Sequence, residues 1–292
     1  MVKIALLKRA LAVAVLICGS TLPVSGGVAH ASGQDFTENN SPTYADLADL
    51  VDASEIVLKA EIRKQAVVEQ ERSPGLKPGY VRLYIEARTT SLLTGTAPIG
   101  ESLRYLVDLP LTAKGKAPNL RKTEVLLFAR AVPGRASELQ LVAPSAQLPW
   151  TPELEERLRP VLAEFVSNDA APRIKAIRDA FSIDGNLAGE SETQIFLETH
   201  DDGPVSLTVI RRPAQRPIWG VSWSEIVDQA ARPPQMHTID WYRLACFLPP
   251  RLPREANISA RTAAQNRADA DYQFILDELG PCTRNLDLMD KR

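Results

Sequence analysis

Cysteine and histidine are scarce in this chain, with three of each in 292 residues. No C-x-x-C pair is present, which argues against thiol–disulfide exchange as an activity. The histidines have no H-x₃-H spacing and the cysteines no C-x₂-C spacing, so no metal site is preset and no metal or cofactor is expected. A glycine-rich phosphate loop is also missing. Neither sign of charge dominates, with 34 Lys and Arg against 36 Asp and Glu. Nothing in that balance draws the chain to nucleic acid or to an anionic membrane surface. No apolar run approaches the roughly 20 residues of a spanning helix.

The first residues supply a different signal. Lys3, Lys8 and Arg9 precede the apolar stretch of residues 10–17, and Ala29-His30-Ala31 follows Pro23. A positive region, a short apolar core and a small-x-small site form a secretory signal peptide, read here as residues 1–31. An uncleaved anchor and a lipoprotein attached at Cys18 are the alternatives, though Ile17 stands where a lipobox requires a small residue. Removing the leader leaves 31 basic and 36 acidic residues, so the exported chain is mildly acidic. It also leaves two cysteines. In an oxidising compartment, Cys246 and Cys282 read most simply as one disulfide, with two buried thiols as the alternative.

Residues 32–43 are polar and read as a flexible N-terminus. A short helix follows Pro42-Thr43, with Leu47, Leu50 and Val51 on one face. From Glu55 the hydrophobic period becomes two, and five strands are expected near residues 55–62, 81–88, 103–109, 125–128 and 139–142. Leu58, Leu83, Ile85, Val107, Leu126 and Phe128 are the expected interior. Together they predict an OB-like antiparallel β-barrel over residues 44–148. Residues 149–292 predict an α+β, helix-rich part with one small antiparallel sheet. Its helix after Thr151 should be kinked or split by Pro160, and a second helix is predicted over residues 173–181. A hairpin turns at His200-Asp-Asp-Gly203, a third strand lies near residues 218–221, and helix signals resume at Ser224 with Ile226 and Val227 inward. The last helices cover residues 239–247 and 259–279, with Gly280-Pro281 ending the second.

Few residues invite a chemical role. Gly189-Glu-Ser-Glu-Thr193 is one residue short of the G-x-S-x-G nucleophile elbow, which puts forward Ser191; Thr193 occupies the place of the closing small residue, and the segment leads into a strand. His200 lies in the predicted turn and His237 beside Asp240 at a helix start; with Asp201 and Asp202 they can be drawn as a metal site, but turn and cap roles fit them better. Arg211, Arg212 and Arg216 form the densest basic cluster, a solvated turn or a contact for an anionic ligand. Asn257-Ile-Ser259 matches the glycosylation pattern but is expected to cap the last helix. Trp150, Trp219, Trp223 and Trp241 read as core. No pair of carboxylates stands out as an acid–base couple.

Ala53-Ser-Glu-Ile-Val-Leu-Lys-Ala-Glu-Ile62, Leu92-Leu-Thr-Gly95 and Val125-Leu-Leu-Phe128 resemble the netrin and tissue-inhibitor-of-metalloprotease β-barrel modules. That resemblance implies a barrel over residues 44–145. The N-terminal cysteines behind metalloprotease inhibition are missing, so that activity is not implied. Leu106-Val-Asp-Leu-Pro110, Gln140-Leu-Val-Ala-Pro144, Gln147-Leu-Pro-Trp-Thr-Pro152, Gly189-Glu-Ser-Glu-Thr-Gln-Ile-Phe196 and Trp241-Tyr-Arg-Leu-Ala-Cys246 resemble a group of exported Gram-negative proteins without assigned activity. The expectation is a periplasmic or secreted, non-enzymatic binding or envelope-interaction module, its partner an envelope protein or an anionic small ligand. The rival is a hydrolase working through Ser191 or a carboxylate pair.

Overall fold

The structure, a computed structural model, describes residues 41–224 and 231–286. The expected signal peptide, residues 32–40 of the expected flexible terminus and the helix expected around Ile226 and Val227 lie outside the described residues.

The chain enters through helix α1 (Tyr44–Ala53). Thr43 takes the N–H of Asp46, and the Asp46 carboxylate takes the N–H of Thr43, so two orphan donors are satisfied reciprocally. Five strands and a short sixth then build the first sheet: β1 (Ile56–Val67), β2 (Tyr80–Thr94), β3 (Ser102–Pro110), β4 (Glu124–Ala131), β5 (Leu139–Leu141) and β6 (Gln147–Pro149). The order is β3-β2-β1-β4-β5 with β6 also on β4, every pair antiparallel. Strict alternation makes it so. In β2, Val81, Leu83, Ile85 and Ala87 point inward while Arg82, Tyr84, Glu86 and Arg88 point out.

The expected barrel is not formed. β3 and β5 stand at opposite ends of the sheet yet come into contact, so the sheet curls strongly. Closure needs a ladder between them, and there is only an isolated bridge, Arg104 to Glu138, with backbone bonds from the N–H groups of Gly100, Arg104 and Asp108 to the carbonyls of Ala136, Ser137 and Pro144. β5 is only three residues long, too short to offer β3 a ladder on its free edge. All six expected interior residues are buried, but not on one face. Leu58 sits opposite Leu127, whereas Leu126 and Phe128 sit opposite Lys59 and Val57 on the other face of the sheet. β4 is apolar on both faces, with α1 packed against it, and alternation therefore loses its meaning there.

Helix α2 (Pro152–Phe165) starts on Thr151, whose hydroxyl takes the Leu154 N–H, and runs unsplit through Pro160. The part that follows is not helix-rich. It is dominated by a second antiparallel sheet, β10-β9-β8-β7, built from β7 (Ile174–Asp184), β8 (Ser191–Thr199), β9 (Val205–Arg211) and β10 (Ile218–Ser222). The helix expected at residues 173–181 is strand β7. Its ladder with β8 shifts register between Ile174 and Ala176 and again between Ile177 and Asp179. The bulges place Ile174, Ile177 and Ala180 inward at intervals of three, which mimics a helical stripe. The hairpin between β8 and β9 is as expected, with Asp202 at φ 57°.

Helix α3 (Ile239–Ala245) and helix α4 (Thr262–Leu279) complete the fold, and α4 lies against β7 and β8. Ser259 does not cap α4, whose N-cap position is Arg261, without a side-chain cap bond. Instead residues 257–259 run along the β7 edge: the Ile258 N–H bonds Ala180 O, and Ser259 Oγ takes the Ser182 N–H. Gly280, at φ 70°, ends α4 in a conformation other residues rarely adopt. Cys246 and Cys282 are disulfide-bonded, with Cα atoms 5.1 Å apart. The bond holds the last described residues over α1, where buried Asp46 accepts the N–H groups of Asn285 (3.0 Å) and Leu286 (3.1 Å). None of the described helices is long and apolar enough to cross a membrane.

Candidate functional site

Three clefts hold the polar residues of interest. The cleft of about 570 Å³ beside Ser191 is lined by residues 184–191 with Arg211, Arg267 and Ala270. Ser191 opens β8 and is 3% exposed. A serine nucleophile needs a base within hydrogen-bond reach. The titratable side chains lining this cleft are Asp184, Glu190 and two arginines, and an arginine is never the base. Both arginines are already used. Arg211 Nε bonds Asp271 Oδ1 at 2.6 Å, and Asp271, 0% exposed on α4, also takes the Thr193 hydroxyl. Arg267 Nε bonds Ser182 Oγ at 2.9 Å and its Nη2 pairs with Asp184. The network fastens α4 to the second sheet. Arg216 pairs with Glu278 of the same helix, and Arg212 is exposed in the following turn. Two of the three clustered arginines thus hold α4 through its carboxylates.

His200 is exposed at the β8–β9 turn, its N–H bonded to Arg173 O; Asp201 and Asp202 are exposed beside it. His237 precedes α3 with φ 62°, a left-handed conformation uncommon outside glycine. Among the described residues no three His, Cys, Asp or Glu side chains converge as metal ligands. The His237 ring stacks on Tyr44 at 5.9 Å and meets Trp241 edge-on at 5.5 Å. It lines a cleft of about 520 Å³ with Glu164, Arg157 and Tyr44. Glu164 Oε2 takes the Tyr44 hydroxyl at 2.6 Å and the Ile239 N–H at 2.8 Å. Burial, and then this bond to a carboxylate, push the Tyr44 hydroxyl far above its ordinary range. Asp240 lies close enough to Glu164 to feel its charge. Burial first, and that charge second, raise the Asp240 carboxyl above the usual range.

The third cleft, about 850 Å³, lies across β1, β2 and β3 and reaches the segment over residues 138–144. Its walls include Ala66, Val67, Tyr84, Leu106 and Val142, with Arg72, Arg82, Arg104 and Asp108 among them. Arg82 and Asp108 form a two-pronged pair across β2 and β3, both bonds 2.7 Å. Two apolar side chains stay in solvent: Val67 is 59% and Leu106 is 49% exposed.

The middle of the outer face of the second sheet contrasts with this. There Arg178 lies over the Phe196 ring, Phe181 sits beside Phe196, and Lys175 pairs with Glu198. Its charged and aromatic groups around Phe196 are engaged with each other, while Ile183 and Ile218, 54% and 51% exposed, face solvent at one end of the same face.

Sequence reasoning missed the groove and the Glu164–Asp240 pair. A signal for the groove existed: Leu106 is an apolar residue at an outward position of β3, between Arg104 and Asp108. The carboxylates, 76 residues apart, had none. No family model and no curated protein matches the chain.

Proposed function

We propose that the chain is an exported module of a bacterial cell envelope that binds a partner in the groove across β1, β2 and β3. The leader-like residues 1–31, the resemblance to exported Gram-negative proteins and the Cys246–Cys282 disulfide support export to an oxidising compartment. The observation that carries the binding role is the exposed Leu106, seated on an otherwise polar strand face inside an 850 Å³ cleft. In cell fractionation, the mature protein is expected in the envelope fraction, beginning near Ser32, and to migrate in a complex larger than itself. Leu106→Glu should abolish that complex without altering export. A complex that survives the substitution contradicts the groove; full-length protein in the cytoplasm contradicts export.

A second reading has its own support. Glu164, held by the Tyr44 hydroxyl and the Ile239 N–H on the wall of the cleft beside His237, and the neighbouring Asp240, half-buried behind it, are two close carboxylates of the kind that share acid and base roles in glycoside hydrolysis. Under this reading the protein cleaves at least one of a panel of fluorogenic glycosides, and Glu164→Gln and Asp240→Asn each reduce turnover by about 100-fold or more. Cleavage of none of them ends it.

A further inference from the structure

The groove has three features that together specify a ligand. Arg104 and Arg72 are exposed, and among the described residues neither guanidinium has an ion pair or hydrogen bond. The groove's other charges are more settled: Arg82 with Asp108, and Glu138 with Arg135. Glu69 also lines the groove and lies three residues from Arg72, offsetting part of its charge, whereas the two carboxylates flanking Arg104, Glu86 and Glu138, are each held by another cation, Lys64 and Arg135. Leu106 follows Arg104 by two residues on the same face of β3, a separation of about 6.7 Å in an extended strand. The backbone adds a donor. The N–H groups of Arg104 and Asp108 are bonded to Ser137 and Pro144; by alternation that of Leu106 points the same way, where the bridge on this edge stops at Arg104 and no acceptor is found for it among the described residues.

From this arrangement, and resting on the groove as the working surface, we infer that the occupant is an extended segment of a partner polypeptide carrying an apolar residue and an Asp or Glu two positions away. An extended peptide repeats its side chains at the same two-residue interval as β3. Its apolar side chain covers Leu106, its carboxylate meets Arg104, and a carbonyl accepts the Leu106 N–H. A compact small molecule fits less well, because such ligands are mostly enclosed by their sites, whereas this cleft is an open trough across three strands.

The test is selection of random octapeptides displayed on phage against the oxidised mature protein. Enriched peptides are expected to pair an apolar residue with an acid at a spacing of two. Selection on Arg104→Ala should lose the acid and keep the apolar residue. A synthetic enriched peptide should bind Arg104→Ala about threefold more weakly and Leu106→Glu at least about tenfold more weakly. Both positions are exposed, and both variants should melt with the parent. Enriched peptides that need Leu106 but carry basic residues, or no acid at that spacing, overturn the ligand chemistry and leave the groove standing. Enriched peptides indifferent to Leu106→Glu, or no enrichment at all, overturn the groove as well.

Discussion

The two sheets of this molecule solve the same problem in different ways. Each is antiparallel and each has an inner face to bury. The first curls until its own strands line the interior, with Ile62, Ala87, Ile85, Leu103 and Tyr105 following one another across it. The second borrows its cover from α4, which presents Ala264, Ala268, Tyr272 and Ile275 to it and adds the buried Asp271. The first sheet covers its own inner face, and with α1 and α2 packed on β4 and β2 its outer face stays open where the groove runs. A sheet covered by a helix depends on whatever holds the helix, here one carboxylate network and one disulfide.

The largest test of that difference is the disulfide. Replacing Cys246 and Cys282 by Ser frees a loop of 36 residues and should lower stability by about 4 kcal/mol on the chain-entropy model. In amide hydrogen exchange the lost protection should fall on α4 and strands β7–β10, while β1–β4 keep theirs longer. Equal loss in both sheets would break the comparison. Denatured, unreduced wild-type protein should show no titratable thiol.

Asp271→Ala comes next. It leaves Arg211 and Thr193 without their shared acceptor, and urea unfolding should register a loss of about 3 kcal/mol. Asp271→Asn should recover part of it, since the amide oxygen still accepts. An effect below 1 kcal/mol, a conservative bound for a buried group of this kind, would mean that the network does not hold α4.

Asp240 gives a smaller, pH-dependent effect. Its carboxyl is raised, so the folded state binds its proton more tightly than the unfolded chain does. This group therefore disfavours folding at neutral pH, and that penalty fades as pH falls through the raised value. Asp240→Asn should melt higher than wild type at pH 7, with the gap closing in acid. A gap independent of pH would remove the proton from the explanation.

How much of this the sequence displayed depended on whether the period of two survived. In β2 it survived, and the buried residues could be named in order. In β4 both faces are buried, so the strand was visible but Leu126 and Phe128 were placed on the wrong side of it. In β7 two bulges turned the period into three and a strand looked like a helix. Closure of the first sheet depended on the length of β5 and its partner, which local patterning does not report. The disulfide was legible because only two cysteines follow residue 31. Arg211 and Arg216 were conspicuous as a cluster, but their partners Asp271 and Glu278 lie about 60 residues on, and only the fold brings them together.

Arg104→Ala and Leu106→Glu should have the smallest effect on stability, within about 0.5 kcal/mol, because both side chains are exposed. Their consequence should appear in binding alone.

The most direct measurement of the central claim compares the two outer faces in living cells. A photo-crosslinking amino acid is placed at position 106 in one strain and at position 196 in another, and the exported protein is recovered from the envelope after irradiation. A discrete adduct is expected from position 106 and none from position 196, where Phe196 is engaged by Arg178 and Phe181. Adducts from position 196 alone, or from neither position, would contradict that claim.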